Sequence, residues 1–383
     1  MGKWLRRSAT ATLTAAALLG GVALWKGEEI GRLMAVNSLF DPDRIVQNFT
    51  HMDRAFLHVP LSAGPGTPLP AADPVPLPRG ADDWIAERRI TGLVILKDGR
   101  ITHESYHLGT SAGDLRISWS VAKSFLSLLT GILIDEGLLD LSDPVTRHVP
   151  ALAGTAYDGA TVEDVLQMES GVAFDEDYFD RNSDINRMGR VLALGGALDD
   201  FTIGLADRNR EPGGPMQYVS MDTHVLGMVL RGATGRSVPD LMADRLAGPI
   251  GLGPAYYLTD GEGAAFVLGG LNMATQDYAR LGLLVAQDGR IGDRQIVPAA
   301  WIDAATAPTA NTAPGSLGYG YQWWVPADAR TGEVMAQGIY GQWIYIDRPR
   351  DVVVAVNAVD SRFRDPGVTD ATIAMFRAIA DAQ

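Results

Sequence analysis

Hydrophobic residues recur with a period of two near both ends of the chain and with a helical period between them. Segments 91–96 and 100–106 flank Asp98-Gly99, a two-residue turn signal, and therefore predict a β-hairpin. Four segments in the last third also predict strands, and residues 368–382 predict a closing helix. These later strands are predicted at residues 317–325, 333–338, 342–347 and 352–359.

Helical patterns fill the middle of the chain. The most apolar of them starts at Ser120, runs to about Glu136 and stops before Gly137, a residue suited to a helix C-cap. Because strands occur at both ends with helices between them, we predict an α/β (α+β) fold. Its antiparallel sheet, flanked by helices, is built from both chain ends, and a mostly helical lobe is inserted between them. Further helices are predicted at residues 83–88, 161–169, 223–231, 238–246 and 277–286.

The first residues have the layout of an export signal. Lys3, Arg6 and Arg7 precede an uncharged, mostly apolar run at residues 8–25, whose length is near the lower limit for a bilayer span. No small-x-small cleavage site follows directly, so an uncleaved anchor is favoured over a cleaved signal, which stays open as the alternative. In either case we expect an exported protein on the periplasmic side of the inner membrane or in the cell envelope.

The region between this segment and the first predicted strands has a different composition. Residues 60–78 contain seven prolines and predict an extended connection without regular structure, preceded by a short helix at about residues 43–49. We therefore divide the chain into three parts. They are a signal or membrane anchor at 1–34, an N-terminal arm and linker at 35–80, and a main domain at 81–383 with a sheet lobe at 81–118 and 265–383 and a helical lobe at 119–264.

Composition narrows the classes of function. The 383 residues are 46% hydrophobic and 20% charged, as expected for a folded globular protein. The formal net charge of −14 argues against nucleic acid as a partner. The absence of cysteine excludes disulfides, thiolate zinc sites and a lipidated cysteine, but it does not identify a compartment.

A Ser-x-x-Lys motif lies at the start of the apolar helix. Ser120 and Lys123 are three positions apart, which places a hydroxyl and an amine on one helix face. Burial in an apolar helix and proximity to the helix N-terminus both lower the pKa of a lysine, so Lys123 can serve as a base for Ser120. The free N–H of Ser120 can donate to an oxyanion. An N-cap serine beside a surface lysine is the alternative interpretation.

Two later motifs add possible partners for this pair. Tyr218, two residues before Ser220, can carry a proton if it lies near the lysine. In the predicted strand that ends near Gly338, the N–H of Ile339 can provide a second oxyanion donor. A core tyrosine and a simple β-turn are the alternatives. The acidic stretch at residues 175–184 lacks periodicity and is predicted to be a surface loop beside the site.

The order of these motifs resembles the serine β-lactamase and penicillin-binding protein superfamily. Within it, the sequence around Ser120, Tyr218 and Gly338 is most similar to class C β-lactamase-like esterases and 6-aminohexanoate-dimer (nylon-oligomer) hydrolases. The resemblance implies acyl-enzyme chemistry with Ser120 as nucleophile, Lys123 and Tyr218 as the proton-transfer pair, and the N–H groups of Ser120 and Ile339 as oxyanion hole. The remaining motif positions, Ser220, Gln337 and Gly338, would contact the substrate.

Two departures from that superfamily affect the expected substrate. Ala336-Gln337-Gly338 stands where β-lactamases have Lys-Thr-Gly, and Ser220 stands where they usually have asparagine. We therefore expect a serine hydrolase that cleaves a small-molecule ester or amide, without a cofactor. One alternative is a D-Ala-D-Ala peptidase or weak β-lactamase. The other is a catalytically silent envelope protein that binds a small ligand. The sequence does not predict an oligomeric state.

A second motif matches a zinc-binding pattern letter for letter. His103-Glu104-Ser105-Tyr106-His107 has the form H-E-x-x-H, which binds zinc when it lies on a helix. Here it falls in a predicted strand, where residues four apart are separated by about 13 Å. That distance is too large for two ligands of one zinc ion. We therefore predict no metal site. The sequence also lacks the Gly-x-Ser-x-Gly elbow of α/β-hydrolases.

Overall fold

The computed structural model describes residues 27–383. Most of the predicted signal or anchor therefore lies outside the described residues. Within the described part of the chain, no helix is both long enough and apolar enough to cross a bilayer. The helices are α1 (Gly27–Asn37), α2 (Ile45–Thr50), α3 (Ala81–Glu87), α4 (Val121–Asp135), α5 (Val145–His148), α6 (Val162–Leu166), α7 (Asp184–Leu194), α8 (Leu198–Ile203), α9 (Ser220–Thr234), α10 (Val238–Met242), α11 (Thr275–Ala286), α12 (Ala299–Thr306) and α13 (Val368–Ala382).

A seven-stranded antiparallel sheet contains strands from both ends of the main domain. Its order is β3-β2-β13-β12-β11-β10-β9, so the early hairpin pairs with the last strand of the chain. This arrangement confirms the predicted fold class. The strands are β1 (Leu57–Leu61), β2 (Ile90–Lys97), β3 (Arg100–Tyr106), β4 (Arg116–Ile117), β5 (Ala255–Thr259), β6 (Leu271–Met273), β7 (Arg290–Ile291), β8 (Arg294–Gln295), β9 (Gly318–Tyr319), β10 (Trp324–Val325), β11 (Glu333–Gly338), β12 (Gln342–Asp347) and β13 (Val352–Ala358).

Helices cover both faces of this sheet. Along β13, Val352, Val354 and Val356 pack with α3 and α13, because successive side chains of a strand point to opposite faces. The intervening Val353 and Ala355 belong to the larger core, which also contains α4 and α11. Every residue of β13 is therefore buried, as in a strand with helices on both sides.

A second sheet of four short strands was not predicted. Its order is β1-β5-β6-β4, and β1 pairs with β5 from Leu57 opposite Thr259 to Leu61 opposite Ala255. The prediction that residues 60–78 lack regular structure is therefore wrong at Pro60 and Leu61, which belong to β1. This sheet matters for the site because β4 leads directly into the loop that carries Ser120.

The other local predictions have mixed outcomes. The hairpin of β2 and β3 is confirmed, with Asp98 and Gly99 at φ values of 50° and 72°. Gly137 follows α4 with φ 71°, as a C-cap glycine should. The predicted single strand at 317–325 is wrong. Gln322, at φ 65°, reverses the chain there, so that β9 and β10 are two short paired strands.

Candidate active site

Ser120 lies at the start of α4 and directly follows a residue with a strained backbone conformation. Trp119 adopts φ 43°, a left-handed conformation that bulky side chains rarely take. Its ring contacts those of Phe40 and Phe49, at centroid separations of 6.0 Å and 5.5 Å. The side chain of Ser120 makes no capping hydrogen bond to the helix. Its hydroxyl is therefore not engaged in the capping role that serine commonly has at this position.

Lys123 lies one turn further along α4, beneath Ser120. Its side chain is 1% exposed, and Nζ lies 3.3 Å from Oγ of Ser120. Nζ also lies 3.2 Å from Oγ of Ser220 and 2.8 Å from the carbonyl oxygen of Leu268. These three partners are uncharged oxygens. Burial lowers the pKa of Lys123 to about 7, although the nearby carboxyl groups of Glu176 and Asp222 act in the opposite direction.

Tyr218 faces the same two residues from the loop before α9. Nζ of Lys123 lies 5.3 Å from the centroid of its ring, which stacks on Trp324 at a centroid separation of 5.6 Å. Burial and the charge of Glu176 raise the pKa of Tyr218, whereas its interactions with the hydroxyls of Ser120 and Ser220 lower it. The net direction is upward, so the phenol stays protonated at neutral pH and can donate a proton.

The acidic loop contributes Glu176 to the site. The N–H and the hydroxyl of Ser220 donate to the two carboxylate oxygens of Glu176, at 3.0 Å and 2.5 Å. The hydroxyl of Tyr178 donates to Oε1 of the same carboxylate at 2.6 Å. Glu176 thus connects the loop to the first turn of α9 and fixes Ser220 beside Lys123. Charge-assisted hydrogen bonds of this kind are stronger than neutral ones.

The end of β11 lies against the start of α4. A Cβ atom at Gly338 would come within 2.8 Å of the carbonyl oxygen of Ser118 and 3.1 Å of the backbone nitrogen of Ser120. Only glycine permits this close approach. The strand therefore ends beside the N–H of Ser120, and Ile339 follows directly. Gln337 and Ile339 both border the space in front of Ser120.

Two cavities meet at Ser120. The polar cavity, of about 410 Å³, is lined by Tyr218, Glu176 and Gln337, and by residues before and at the start of α13: Phe363, Arg364, Asp365, Gly367, Thr369 and Asp370. The apolar cavity, of about 430 Å³, is lined mainly by aliphatic and aromatic side chains. Ser120, Tyr178 and Ile339 border both. Each volume falls within the range of small-molecule binding sites. A substrate with two substituents can therefore extend from Ser120 in two directions.

A buried carboxyl group lies at the start of α9. Oδ1 of Asp222 accepts hydrogen bonds from the hydroxyls of Tyr157 at 3.0 Å and Ser170 at 2.8 Å. Burial raises the pKa of Asp222 to about 8. The carboxyl group therefore ionises less readily than that of an exposed aspartate. These contacts hold the helix that positions Ser220.

The structure brings all of the predicted site residues together. Lys123 and Ser220 contact each other beneath Ser120, whereas the remaining residues line the polar cavity. These remaining residues are Ser120, Tyr218, Gln337, Gly338 and Ile339. The sequence did not single out Glu176 or Tyr178, although it predicted that their loop lies beside the site. Their one distinguishing signal is that an acid and an aromatic residue stand close together in a polar loop.

The H-E-x-x-H motif has a different arrangement. His103 lies on β3 and His107 directly follows the strand. Each Nε2 contacts Oγ of Ser105, at 3.0 Å and 3.1 Å, so the two rings approach one oxygen more closely than the backbone spacing predicts. Glu104 points to the opposite face and accepts hydrogen bonds from Tyr106 and Gln276. The glutamate therefore does not share a site with the histidines. Residues 27–383 contain no group of three His, Cys, Asp or Glu side chains placed to hold a metal ion.

Comparisons with known proteins agree with this geometry. The model of the Beta-lactamase family matches residues 81–374. The 6-aminohexanoate-dimer hydrolase of Paenarthrobacter ureafaciens is 29% identical over 276 residues, which cover 68% of this chain and 70% of that protein. The match to the family model contains Ser120, Lys123, Tyr218 and Ile339 and excludes the N-terminal arm.

Solved structures share the fold. A proposed 6-aminohexanoate-dimer hydrolase from Bacillus anthracis aligns with a TM-score of 0.78 at 22% identity, over 89% of this chain and 95% of that one. A family VIII carboxylesterase aligns with a TM-score of 0.62 at 16% identity, over 82% of this chain and 99% of that one. At these identities the alignments establish the common architecture.

Proposed function

The chain belongs to the beta-lactamase family and is a serine hydrolase, and from that premise we propose that it cleaves an ester or small amide through an acyl-enzyme on Ser120. The observation that carries the proposal is the contact between Ser120 and the buried Lys123, at 3.3 Å. A lysine whose pKa lies at about 7 is substantially neutral at physiological pH, so it can accept a proton.

In the proposed acylation step, Oγ of Ser120 attacks the carbonyl carbon while its proton passes to Nζ of Lys123. The N–H groups of Ser120 and Ile339 donate to the oxyanion. Tyr218, which stays protonated because its pKa is raised, donates its proton to the leaving oxygen or nitrogen. Lys123 then returns a proton to Tyr218 through the hydroxyl of Ser220, so acylation ends with no net change in the protonation of the enzyme.

Deacylation follows by the same path in reverse. Water attacks the acyl carbon and gives a proton to Tyr218, while a proton passes from Tyr218 through the hydroxyl of Ser220 to Lys123. Oγ of Ser120 then leaves with a proton returned by Lys123, so the enzyme regains its starting protonation. Glu176 keeps the hydroxyl of Ser220 in place between Lys123 and Tyr218. The products are a carboxylic acid and an alcohol or amine.

Uncharged Gln337 favours esters and small amides over β-lactams, because it provides no cation for a substrate carboxylate. One observation supports the alternative of a D-Ala-D-Ala peptidase or weak β-lactamase. Arg364 lines the polar cavity and can bind a carboxylate, although Asp365 and Asp370 lie in the same wall. Stable acylation of Ser120 by a labelled penicillin would favour this alternative.

The proposal is tested by trapping the intermediate. Wild-type protein mixed with 4-nitrophenyl acetate and quenched in acid is expected to carry one acetyl group on Ser120 in a peptide map. Ser120→Ala should carry none. Ser124→Ala is the matched control, because Ser124 lies one turn away on α4 with its hydroxyl bonded to the carbonyl oxygen of Gln322. Folded wild-type protein without turnover or acylation would instead support the catalytically silent binding protein.

We also propose that the enzyme acts outside the cytoplasm, held at the membrane or released from it. The support is the basic and then apolar pattern of the first residues. Fractionation of cells that express the full chain tests this: the protein should be found in the membrane or periplasmic fraction. Recovery from the cytoplasm alone would contradict it.

A further inference from the structure

The apolar cavity at Ser120 is built partly by the N-terminal arm. Val36, Leu39, Phe40, Met52 and Phe56 all line it, and all precede the region that matches the family model, residues 81–374. The opposite wall comes from the main domain. It includes Ile185, Met188, Leu192, Leu258, Phe266 and Leu268.

The arm is fixed in this position by specific contacts. Nη1 of Arg116, in the main domain, donates to Oγ1 of Thr50 at 2.5 Å. Within the arm, the amide of Asn48 donates to the carbonyl oxygens of Ser38 at 2.7 Å and Leu39 at 3.0 Å. The ring of Phe40 stacks on that of Tyr340 at a centroid separation of 5.1 Å. Met52 is fully buried. The cavity wall is therefore a packed part of the fold.

The position of Tyr218 decides which part of a substrate enters each cavity. Tyr218 lines the polar cavity and not the apolar one. Since the leaving group takes its proton from Tyr218, it must lie in the polar cavity. The acyl carbon is bonded to Ser120, so the chain attached to that carbon extends away from Tyr218, into the apolar cavity.

We infer that the arm and the main domain together form a binding site for an uncharged alkyl chain on the acyl side of the substrate. This inference rests on the proposed function. The wall offers no partner for a cation: none of the described residues that line the cavity is a carboxylate, and its two charged residues, Arg181 and Arg190, are exposed arginines. An acyl chain that ends in an amine would find no partner there.

A series of 4-nitrophenyl esters tests the inference, because the acyl chain varies while the leaving group stays the same. From acetate to hexanoate, kcat/KM of the wild type should rise by about fourfold per methylene, because each buried methylene contributes about that factor. The 6-aminohexanoate ester should be turned over at least about tenfold more slowly than the hexanoate, since its ammonium group would be desolvated without a partner.

Gly189 offers a way to fill the cavity. It lies on α7, lines the apolar cavity, and an added Cβ would have no atom within 4 Å. Gly189→Leu should lower the ratio of hexanoate to acetate turnover at least tenfold. Gly31→Leu is the matched control, because Gly31 is an exposed helical glycine with equally open surroundings and does not line the cavity. That variant should keep the wild-type ratio.

The possible outcomes separate the two proposals. Acetylation of Ser120 with equal turnover of acetate and hexanoate would overturn the alkyl-chain site and leave the proposed function standing. A wild-type preference for hexanoate that Gly189→Leu does not reduce would also overturn it, because the chain would then bind elsewhere. If no ester acylates Ser120, the proposed function fails and this inference fails with it. Thermal unfolding of each variant establishes that it is folded.

Discussion

Ser120 and Lys123, at the start of a helix, can be compared with His103 and His107, in and directly after a strand. Both pairs match short catalytic patterns, at spacings of three and four residues. On the helix the spacing places Nζ 3.3 Å from Oγ. On the strand the spacing places the histidine backbones about 13 Å apart. Both rings reach Oγ of Ser105, and Glu104 is turned to the other face. A motif therefore predicts chemistry only when the element that carries it gives the spacing its required geometry.

The largest loss of activity is expected from removing the amine of Lys123. Lys123→Met should lower kcat/KM by roughly 1,000-fold or more, because Ser120 loses its base. Methionine has a similar volume without an ionisable group, so thermal unfolding should show no loss of stability. Lys97→Met is the control, because Nζ of Lys97 pairs with Asp98 at the surface. Activity within tenfold of the wild type would contradict the role of Lys123.

The pH dependence tests the same pair without a substitution. Only neutral Lys123 accepts a proton, and its pKa is lowered to about 7. Values of kcat/KM for an uncharged ester should fall about tenfold per pH unit below 7 and level off above it. Stability should also rise with pH from about 7 toward the ordinary lysine value of 10.5, because the folded state holds the neutral form. A flat profile between pH 5.5 and 8 would exclude Lys123 as the titrating base.

A smaller loss of activity is expected from substitution of Glu176, which lies in the acidic loop and binds Ser220 beside Lys123. Glu176→Gln should reduce kcat/KM about tenfold, because Ser220 loses its charged hydrogen-bond acceptor. The negative charge of Glu176 raises the pKa of Lys123, so the acidic limb of the pH profile should move to lower pH. Asp177→Asn, an exposed change in the same loop, should leave that limb in place. A shift to higher pH in Glu176→Gln would show that its charge does not act on Lys123.

No effect is expected at the strand pair. The double variant His103→Ala, His107→Ala should keep kcat/KM within twofold of the wild type, and EDTA should leave the rate unchanged. The reason is that these histidines contact Ser105 rather than the Ser120 site. Native mass spectrometry provides the independent check. If the wild type binds one zinc ion, and the double variant loses both the ion and the activity, the histidine pair is a functional metal site and this prediction is wrong.

Sequence reasoning succeeded where local patterns dominate. The hairpin at Asp98-Gly99, the helix that carries Ser120 and the closing helix α13 follow from turn chemistry and periodicity. It failed for the second sheet, because β1 is only five residues long and pairs with β5, which is distant in the chain. Non-local pairing of short strands leaves little local signal.

The residues of the candidate site also differ in whether the local sequence could identify them. Ser120, Lys123 and Tyr218 could be named from the motifs, and the structure brings them together. Glu176 could not, because its position depends on hydrogen bonds to Ser220, in a different part of the chain. The apolar cavity was missed for a similar reason. Its walls come from the arm and the main domain, and no single segment of sequence contains both.

The central claim is that Ser120 is an activated nucleophile, and intact-protein mass after exposure to an ethyl fluorophosphonate tests it most directly. Folded wild-type protein should gain the mass of one phosphonyl group, and Ser120→Ala should gain none under the same conditions. A small ethyl group keeps this test independent of the alkyl-chain site. Unmodified wild-type protein, or an adduct that persists in Ser120→Ala, would contradict the account.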